Sequence, residues 1–181
     1  FLSSIFYLLS FMSHPQMPLA LFAIFPLWEL CFGNLKKNWK KSIPYVALTI
    51  VYLMITLNYL PQRENTLQSV HYLQAGIDNP FVIITIAITS YFELIFAPIS
   101  LTLYHSELQF GSINFFIRTL ITLAFFIGIG LSFKKNKYVF FWTSFFLITL
   151  APTLTPFRLN WMVAERYIYL PIIGILAIFG A

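Results

Sequence analysis

Seven apolar stretches, separated by short polar segments, run along the chain. They cover Phe1–Met12, Met17–Phe32, Ser42–Leu60, Pro80–Leu101, Ile113–Phe133, Tyr138–Leu154 and Tyr167–Ala181. Each stretch is apolar on all sides of a helix and lacks the alternation of a membrane strand. Since a helix needs about 20 apolar residues to cross a bilayer, the pattern predicts an all-α, polytopic transmembrane helix bundle of about six to seven segments.

The composition supports a membrane class. Hydrophobic residues make up 59% of the chain and charged residues 9%, whereas soluble domains carry about 25% charged residues. This excludes soluble, disordered and nucleic-acid-binding classes, and Cys31 as the single cysteine argues against disulfides and metal clusters. Because both termini lie inside apolar stretches, we expect residues 1–181 to form one transmembrane domain fragment, truncated at both ends.

Two lysine clusters, Lys36–Lys41 and Lys134–Lys137, hold seven of the eleven basic residues. The positive-inside rule predicts that both loops face the cytoplasm of a multi-pass membrane protein. Three apolar stretches separate them, so one stretch must enter and leave on the same face, and Pro80–Leu101 is the best candidate for a re-entrant segment. The rival interpretation is that one cluster breaks the rule.

With this topology, the mixed polar segments all fall on the non-cytoplasmic face. They are Ser13–Gln16, Pro61–Asn79, Thr102–Ser112 and Thr155–Arg166, and they hold all three histidines and four of the six acidic residues. Mixed acid, arginine and histidine side chains can do chemistry that lysines alone do not, so this face is the expected working face.

The densest charged group is Arg158, Glu165 and Arg166. Arginine binds phosphate with two parallel hydrogen bonds, and a neighbouring carboxylate orients it or accepts a proton. The alternative is a plain Glu–Arg ion pair within an interfacial belt of tyrosines.

Two further loops carry polar side chains. His14 lies between two apolar stretches, where it could bind a substrate or move a proton, and Tyr104 and His105 lie close together in a third loop. Neither loop has metal-ligand spacing, and the alternative for both is a solvated turn.

Three charged residues lie inside apolar stretches. Glu93 needs a partner or a raised pKa, and Arg118 either snorkels to lipid headgroups or contacts a phosphate. Glu29 is expected to pair with the lysines that follow it. Gly128 and Gly130 suit close helix packing.

Several segments, in this order, resemble the large membrane glycosyltransferases of the GT-C type, and the nearest group is the protein O-mannosyltransferase relatives with tetratricopeptide repeats. In chain order the segments are FMSHPQMPLALFAIFPLWEL at 11–30, DNPFVIITIAITSYFELIFAPISLTLYHSEL at 78–108, LITLAPTLTP at 147–156 and AERYIYLPIIG at 164–174. In the segment at 11–30, His14 stands where the family has a lysine.

The resemblance implies transfer of a sugar of the hexose or mannose class from a polyprenyl-phosphate carrier to a protein or glycan acceptor outside. It implies that Glu165 and Arg166 lie by the carrier phosphate and that His14 and Tyr104 line the same cavity. The family's catalytic acid lies in a first external loop that this chain lacks, so no catalytic residue is assigned, and no cofactor is expected beyond the donor lipid. The alternatives are a transporter or flippase segment, with Glu93 and Arg118 facing a polar pathway, or a membrane subunit without activity.

Overall fold

The computed structural model describes residues 2–13, 16–67, 80–98, 111–154 and 163–180, and every regular element in these ranges is helical. The α-helices are α1 (Leu2–Ser13), α2 (Gln16–Cys31), α3 (Leu35–Asn38), α4 (Ile43–Leu67), α5 (Pro80–Phe96), α6 (Ser112–Lys135), α7 (Lys137–Leu150) and α8 (Ile172–Phe179). Short 3₁₀ turns occupy Trp39–Lys41, Ala151–Thr153 and Glu165–Tyr167. The prediction of an all-α chain is confirmed for these residues.

Helix lengths differ from the predicted spans near the C-terminus. The stretch predicted as Tyr138–Leu154 is α-helical only to Leu150. Pro152, the second residue of the 3₁₀ turn that follows, has no N–H with which to continue the α-helical hydrogen bonds. The stretch predicted from Tyr167 becomes α-helical only at Ile172, directly after Pro171. Apolar composition therefore overstated the helical length of these two segments.

Among the described residues, one helix is both long and apolar enough to cross a bilayer. It is Ser112–Lys135, and shorter apolar helical segments run over Ala20–Cys31, Ile43–Ile55 and Phe81–Phe96. Only 6% of the apolar window of Ser112–Lys135 is buried, so this helix presents most of its surface outward. At 1.5 Å per residue it is about 36 Å long.

Helices α1 and α4 run parallel. Three contacts link them in step along the chain: Ser3 with Tyr45, Tyr7 with Thr49 and Phe11 with Tyr52. The Tyr7–Thr49 hydrogen bond is 2.7 Å long and buried. Because the partners in each pair lie 41 or 42 positions apart in the same order, α1 and α4 begin at the same end of the bundle.

Helices α6, α7 and α8 form two successive antiparallel hairpins. Asn136 makes the first turn alone: its N–H donates to Ser132 O at the end of α6, and its side chain accepts from the first amides of α7. In the second hairpin, Tyr138 donates a hydrogen bond to Ala177 O over 2.9 Å. A Cβ on Gly174 would lie 2.5 Å from Trp142 O, so α7 and α8 approach as closely as a glycine allows.

The close glycine contact is at a different position from the one expected. A Cβ added at Gly128 or Gly130 would meet nothing within 4 Å, so these residues of α6 do not mediate helix packing among the described residues. The pattern IGIG is common to lipid-facing and packed surfaces alike, which is why the sequence did not separate them.

Both lysine clusters lie at one end of the bundle. Trp28 and Phe32, at the end of α2, contact the Phe141 ring near the start of α7, with ring centroids 5.4 and 5.3 Å apart. Lys36–Lys41 follow this part of α2, and Lys134–Lys137 precede this part of α7. The short connections on both sides therefore bring the seven lysines to the same end.

The main core lies between α5, α7, α8 and the segment before α8. Its largest fully buried side chains include Tyr91, Phe146, Leu150 and Val163. The Phe92 and Phe146 rings stack at 5.5 Å between centroids, which fixes α5 against α7. A smaller cluster of Leu27, Cys31 and Phe141 joins α2 to α7 at the lysine end.

Candidate functional site

The Glu165–Tyr167 turn lies at the end of the bundle opposite the lysine clusters. It precedes α8, whose first residues lie level with the end of α7 because the two helices are antiparallel. Ala164 is extended, with φ −142° and ψ 137°, and enters the 3₁₀ turn as its N-cap. Ala164 and Tyr167 are both buried in the main core, so core packing fixes the position of the turn.

Core packing on one side leaves Arg166 exposed on the other. Its Nη2 donates a 3.1 Å hydrogen bond to Tyr167 Oη, and its guanidinium lies 5.0 Å from the Tyr167 ring centroid. These contacts orient a cation on the surface of the turn. A charge held in this way is suited to an anionic ligand such as a phosphate.

Glu165 has one buried carboxylate oxygen. Within the part of the chain that the structure describes, Glu165 Oε1 has no hydrogen-bond partner, whereas Arg166 uses its neighbour Tyr167. Buried polar atoms without partners are uncommon in proteins and often mark functional positions. The carboxylate can accept a hydrogen bond from a ligand hydroxyl or a neighbouring group.

Tyr91 on α5 lies next to the Glu165–Tyr167 turn. It is fully buried, and its hydroxyl lies next to the Thr153 side chain and the Ala164 backbone without meeting hydrogen-bond geometry with any described residue. Tyr91 was not predicted as a site residue, because a tyrosine within an apolar run gives no signal that separates it from ordinary core. Only its position next to the Glu165–Tyr167 turn identifies Tyr91 as a candidate site residue.

The neighbouring face of α5 carries a second polar group, built around Arg118. Arg118 Nη2 donates to Glu93 Oε1 over 2.6 Å, and its Nη1 donates to Thr89 Oγ1 over 2.8 Å and reaches Ser90 Oγ at 3.4 Å. The Arg118 side chain is 11% exposed and that of Glu93 is 61% exposed. Glu93, which the sequence indicated would need a partner, is therefore paired with Arg118.

Neither alternative named for Arg118 describes the contacts that the structure shows. Its guanidinium turns inward onto α5, because three acceptors on that helix lie within its reach. Glu29 also differs from expectation: its Oε2 accepts from Asn34 N at 3.1 Å and Asn38 Nδ2 at 2.9 Å. These two hydrogen bonds make Glu29 a local cap for the loop after α2, and the expected lysine contribution is a weaker, longer-range attraction from Lys41.

An open cleft of about 410 Å³ adjoins the Glu93–Arg118 pair. Its walls come from α5, the residue after it and the first turns of α6. They are formed by Thr89, Phe92, Glu93, Phe96, Ala97, Asn114, Ile117, Arg118 and Ile121. The cleft combines one cation, one anion and one amide with apolar walls.

The predicted site residues are only partly within the described ranges. Glu165 and Arg166 lie together on the turn, whereas His14, Tyr104, His105 and Arg158 lie outside the described residues. Within those ranges, no three histidine, cysteine, aspartate or glutamate side chains gather as a metal site. The charged groups in place are thus Glu165 and Arg166 on one side of α5, and Glu93 and Arg118 on another.

Comparison with known proteins adds no relative: no family model, no curated protein and no solved structure matches this chain.

Proposed function

We propose that this chain is part of a membrane glycosyltransferase that moves a sugar of the hexose or mannose class from a polyprenyl-phosphate carrier to a protein or glycan acceptor outside the cytoplasm. The observation that carries the proposal is the Glu165–Tyr167 turn, with Arg166 exposed and Glu165 Oε1 buried without a partner among the described residues. The resemblance of 164–174 to a GT-C segment supplies the reaction class, and no cofactor beyond the carrier lipid is required.

The chemistry assigned to the turn is electrostatic. When a glycosyl bond to phosphate breaks, negative charge develops on the leaving phosphate, and a fixed cation stabilises it. Arg166 supplies that charge, and its contact with Tyr167 limits its motion. Glu165 accepts a hydrogen bond from a ligand hydroxyl.

The membrane topology belongs to the same proposal. Both lysine clusters lie at one end of the bundle, so the positive-inside rule assigns that end to the cytoplasm and the Glu165 turn to the other face. Helix α4 leaves the lysine end and α6 returns to it. In a multi-pass arrangement the stretch between α4 and α6 then begins and ends on the non-cytoplasmic side. Within it α5 reaches inward, because Phe96 at its end contacts Phe179 at the end of α8, as in a re-entrant segment.

The test is sugar transfer by the intact membrane-embedded protein, with a polyprenyl-phosphate-linked sugar as donor. We expect Arg166→Ala to lower kcat/KM about 100-fold, the usual effect of losing one charge-stabilising donor. Glu165→Gln should lower it less. Lys135→Gln, at the lysine end of α6, is the matched control and should transfer normally; normal transfer by Arg166→Ala would remove the phosphate role.

A transporter or flippase is the second candidate, favoured by the charged pair in the open cleft between α5 and α6. A charge pair exposed to an apolar groove could pass a polar headgroup along the helix surface. Lipid or solute movement in reconstituted vesicles that is lost in Glu93→Gln, together with unchanged transfer in Arg166→Ala, would favour this candidate over the enzyme.

A further inference from the structure

The cleft between α5 and α6 has the charge pattern of a zwitterion. Glu93 and Arg118 present opposite charges joined at 2.6 Å, and the Glu93 side chain is 61% exposed. Asn114 lies on the same cleft wall and is itself exposed, so its amide is available as a further donor. A ligand that carries an anion and a cation on one headgroup complements this arrangement, whereas a purely anionic ligand meets the Glu93 carboxylate unfavourably.

The remaining walls of the cleft are apolar. Phe92 and Phe96 line it from α5, and Ile117 and Ile121 line it from α6. The aliphatic side chains continue onto the outward surface of α6, where Leu120 and Ile121 are about half exposed. This apolar path leads directly away from the charged pair, as an acyl chain leads away from its headgroup.

The depth of the charged pair also fits a headgroup. Arg118 lies six residues after Ser112, where α6 begins, which is about 9 Å along the helix. A helix of about 36 Å exceeds the roughly 30 Å hydrocarbon core by a few ångströms at each end. Arg118 Cα therefore lies about 6 Å inside the hydrocarbon core, and its side chain leans back towards the helix N-terminus and the headgroups.

We propose that this cleft binds one phospholipid that carries both a phosphate and an ammonium group, of the phosphatidylethanolamine class. The ammonium contacts Glu93, the phosphate contacts the Asn114 amide, and an acyl chain follows Ile117 and Ile121. The site is separate from the Glu165 turn and from sugar transfer. Polyprenyl phosphate is the less suitable occupant, because it has no cation to offer Glu93.

The experiment uses the whole chain in nanodiscs with photoreactive phospholipids that carry a diazirine in the acyl chain. Phosphatidylethanolamine is compared with phosphatidylglycerol of the same acyl composition, and the labelled peptides are mapped by mass spectrometry. We expect phosphatidylethanolamine to label the Phe92–Phe96 and Ile117–Ile121 regions about tenfold more strongly, as one ammonium–carboxylate contact predicts. Glu93→Gln should abolish the preference, and Lys135→Gln should retain it.

Equal labelling by the two lipids, a preference for phosphatidylglycerol, or competition by polyprenyl phosphate alone would overturn the proposal. Asn114→Leu is the second variant, because it changes an exposed residue of α6 and leaves the Glu93–Arg118 pair in place. It should lower labelling by both phospholipids, and unchanged labelling would also overturn the site. Sugar transfer measured on the same samples keeps this outcome separate, since loss of transfer in Arg166→Ala does not alter the lipid preference.

Discussion

Glu93 Oε1 and Arg118 Nη2 lie 2.6 Å apart although 25 residues separate them in sequence. The contact joins α5 to the second turn of α6 and uses a guanidinium that is nearly buried beside a carboxylate that is mostly exposed. This asymmetry decides how the pair responds to mutation, because each partner loses something different when the other is removed.

Glu93→Leu should destabilise the fold more than Arg118→Met. The first change removes the Glu93 carboxylate from a guanidinium that is 11% exposed, which costs about 2 kcal/mol. The second leaves a solvated carboxylate and the Thr89 hydroxyl, which already bonds to Thr85 O of its own helix, and should cost about 1 kcal/mol or less. Unfolding of the purified variants in detergent measures both, with Glu93→Gln as the isosteric control; the reverse order would contradict the assigned burial.

Gly174→Ala should weaken the contact between α7 and α8. The new Cβ would lie 2.5 Å from Trp142 O and 3.0 Å from Phe146 N, so the helices must separate, at a cost of about 1–3 kcal/mol.

Gly128→Ala is the matched control for that change. Its Cβ would meet nothing within 4 Å, and alanine favours a helix over glycine by about 1 kcal/mol. Thermal unfolding should therefore show a lower midpoint for Gly174→Ala and an equal or higher one for Gly128→Ala. Equal loss in both variants would show that the α7–α8 contact is not as close as the geometry indicates.

Tyr7→Phe should loosen α1 from α4. Thr49 Oγ1 donates its proton to Tyr45 O, so Tyr7 Oη is the donor in the buried 2.7 Å hydrogen bond to Thr49 Oγ1. Loss of a buried hydrogen bond of this kind costs about 0.5–1.5 kcal/mol. Ser3→Ala, which removes a 2.7 Å bond to Tyr45 at an exposed position, should cost less, and protease protection of α1 compares the two variants. A larger effect for Ser3→Ala would contradict the difference in burial.

Labelling with a membrane-impermeant thiol reagent should separate the two ends of the bundle. In a Cys31→Ser background, cysteine at Lys40 and at Asn136 should react from the same side, because both lysine clusters lie together. Cysteine at Gly111, just before α6, should react from the opposite side.

The position of α5 is tested by Phe81→Cys, which changes an 80% exposed residue at the start of that helix. A re-entrant α5 predicts labelling from the Gly111 side. Labelling of Phe81→Cys from the lysine side would make α5 an ordinary crossing and would make α4 the segment that enters and leaves on one face.

The apolar pattern by itself determined the secondary structure class and the order of the helices. Runs that are apolar on every side can bury their backbone polar groups only as helices when lipid surrounds them, so α6 was predicted close to its observed bounds. Helix α5 begins at Pro80 as predicted but ends at Phe96, five residues before the predicted end at Leu101. The two proline-containing ends, at Pro152 and Pro171, were overestimated because hydropathy does not register a lost backbone donor. The sequence also singled out Glu165 and Arg166, since charged residues are rare in such a chain.

Tertiary structure decided which polar groups meet. Glu93 and Arg118 are both visible in the sequence, yet their pairing depends on the angle at which α5 crosses α6, which no local pattern encodes. Tyr91 joins the Glu165 turn only because α5 packs between that turn and α6, and Gly174 rather than Gly128 takes the close contact because α8 folds back on α7. The apolar pattern predicts which segments are helical, whereas packing decides which side chains lie next to one another. A binding or catalytic site depends on the second.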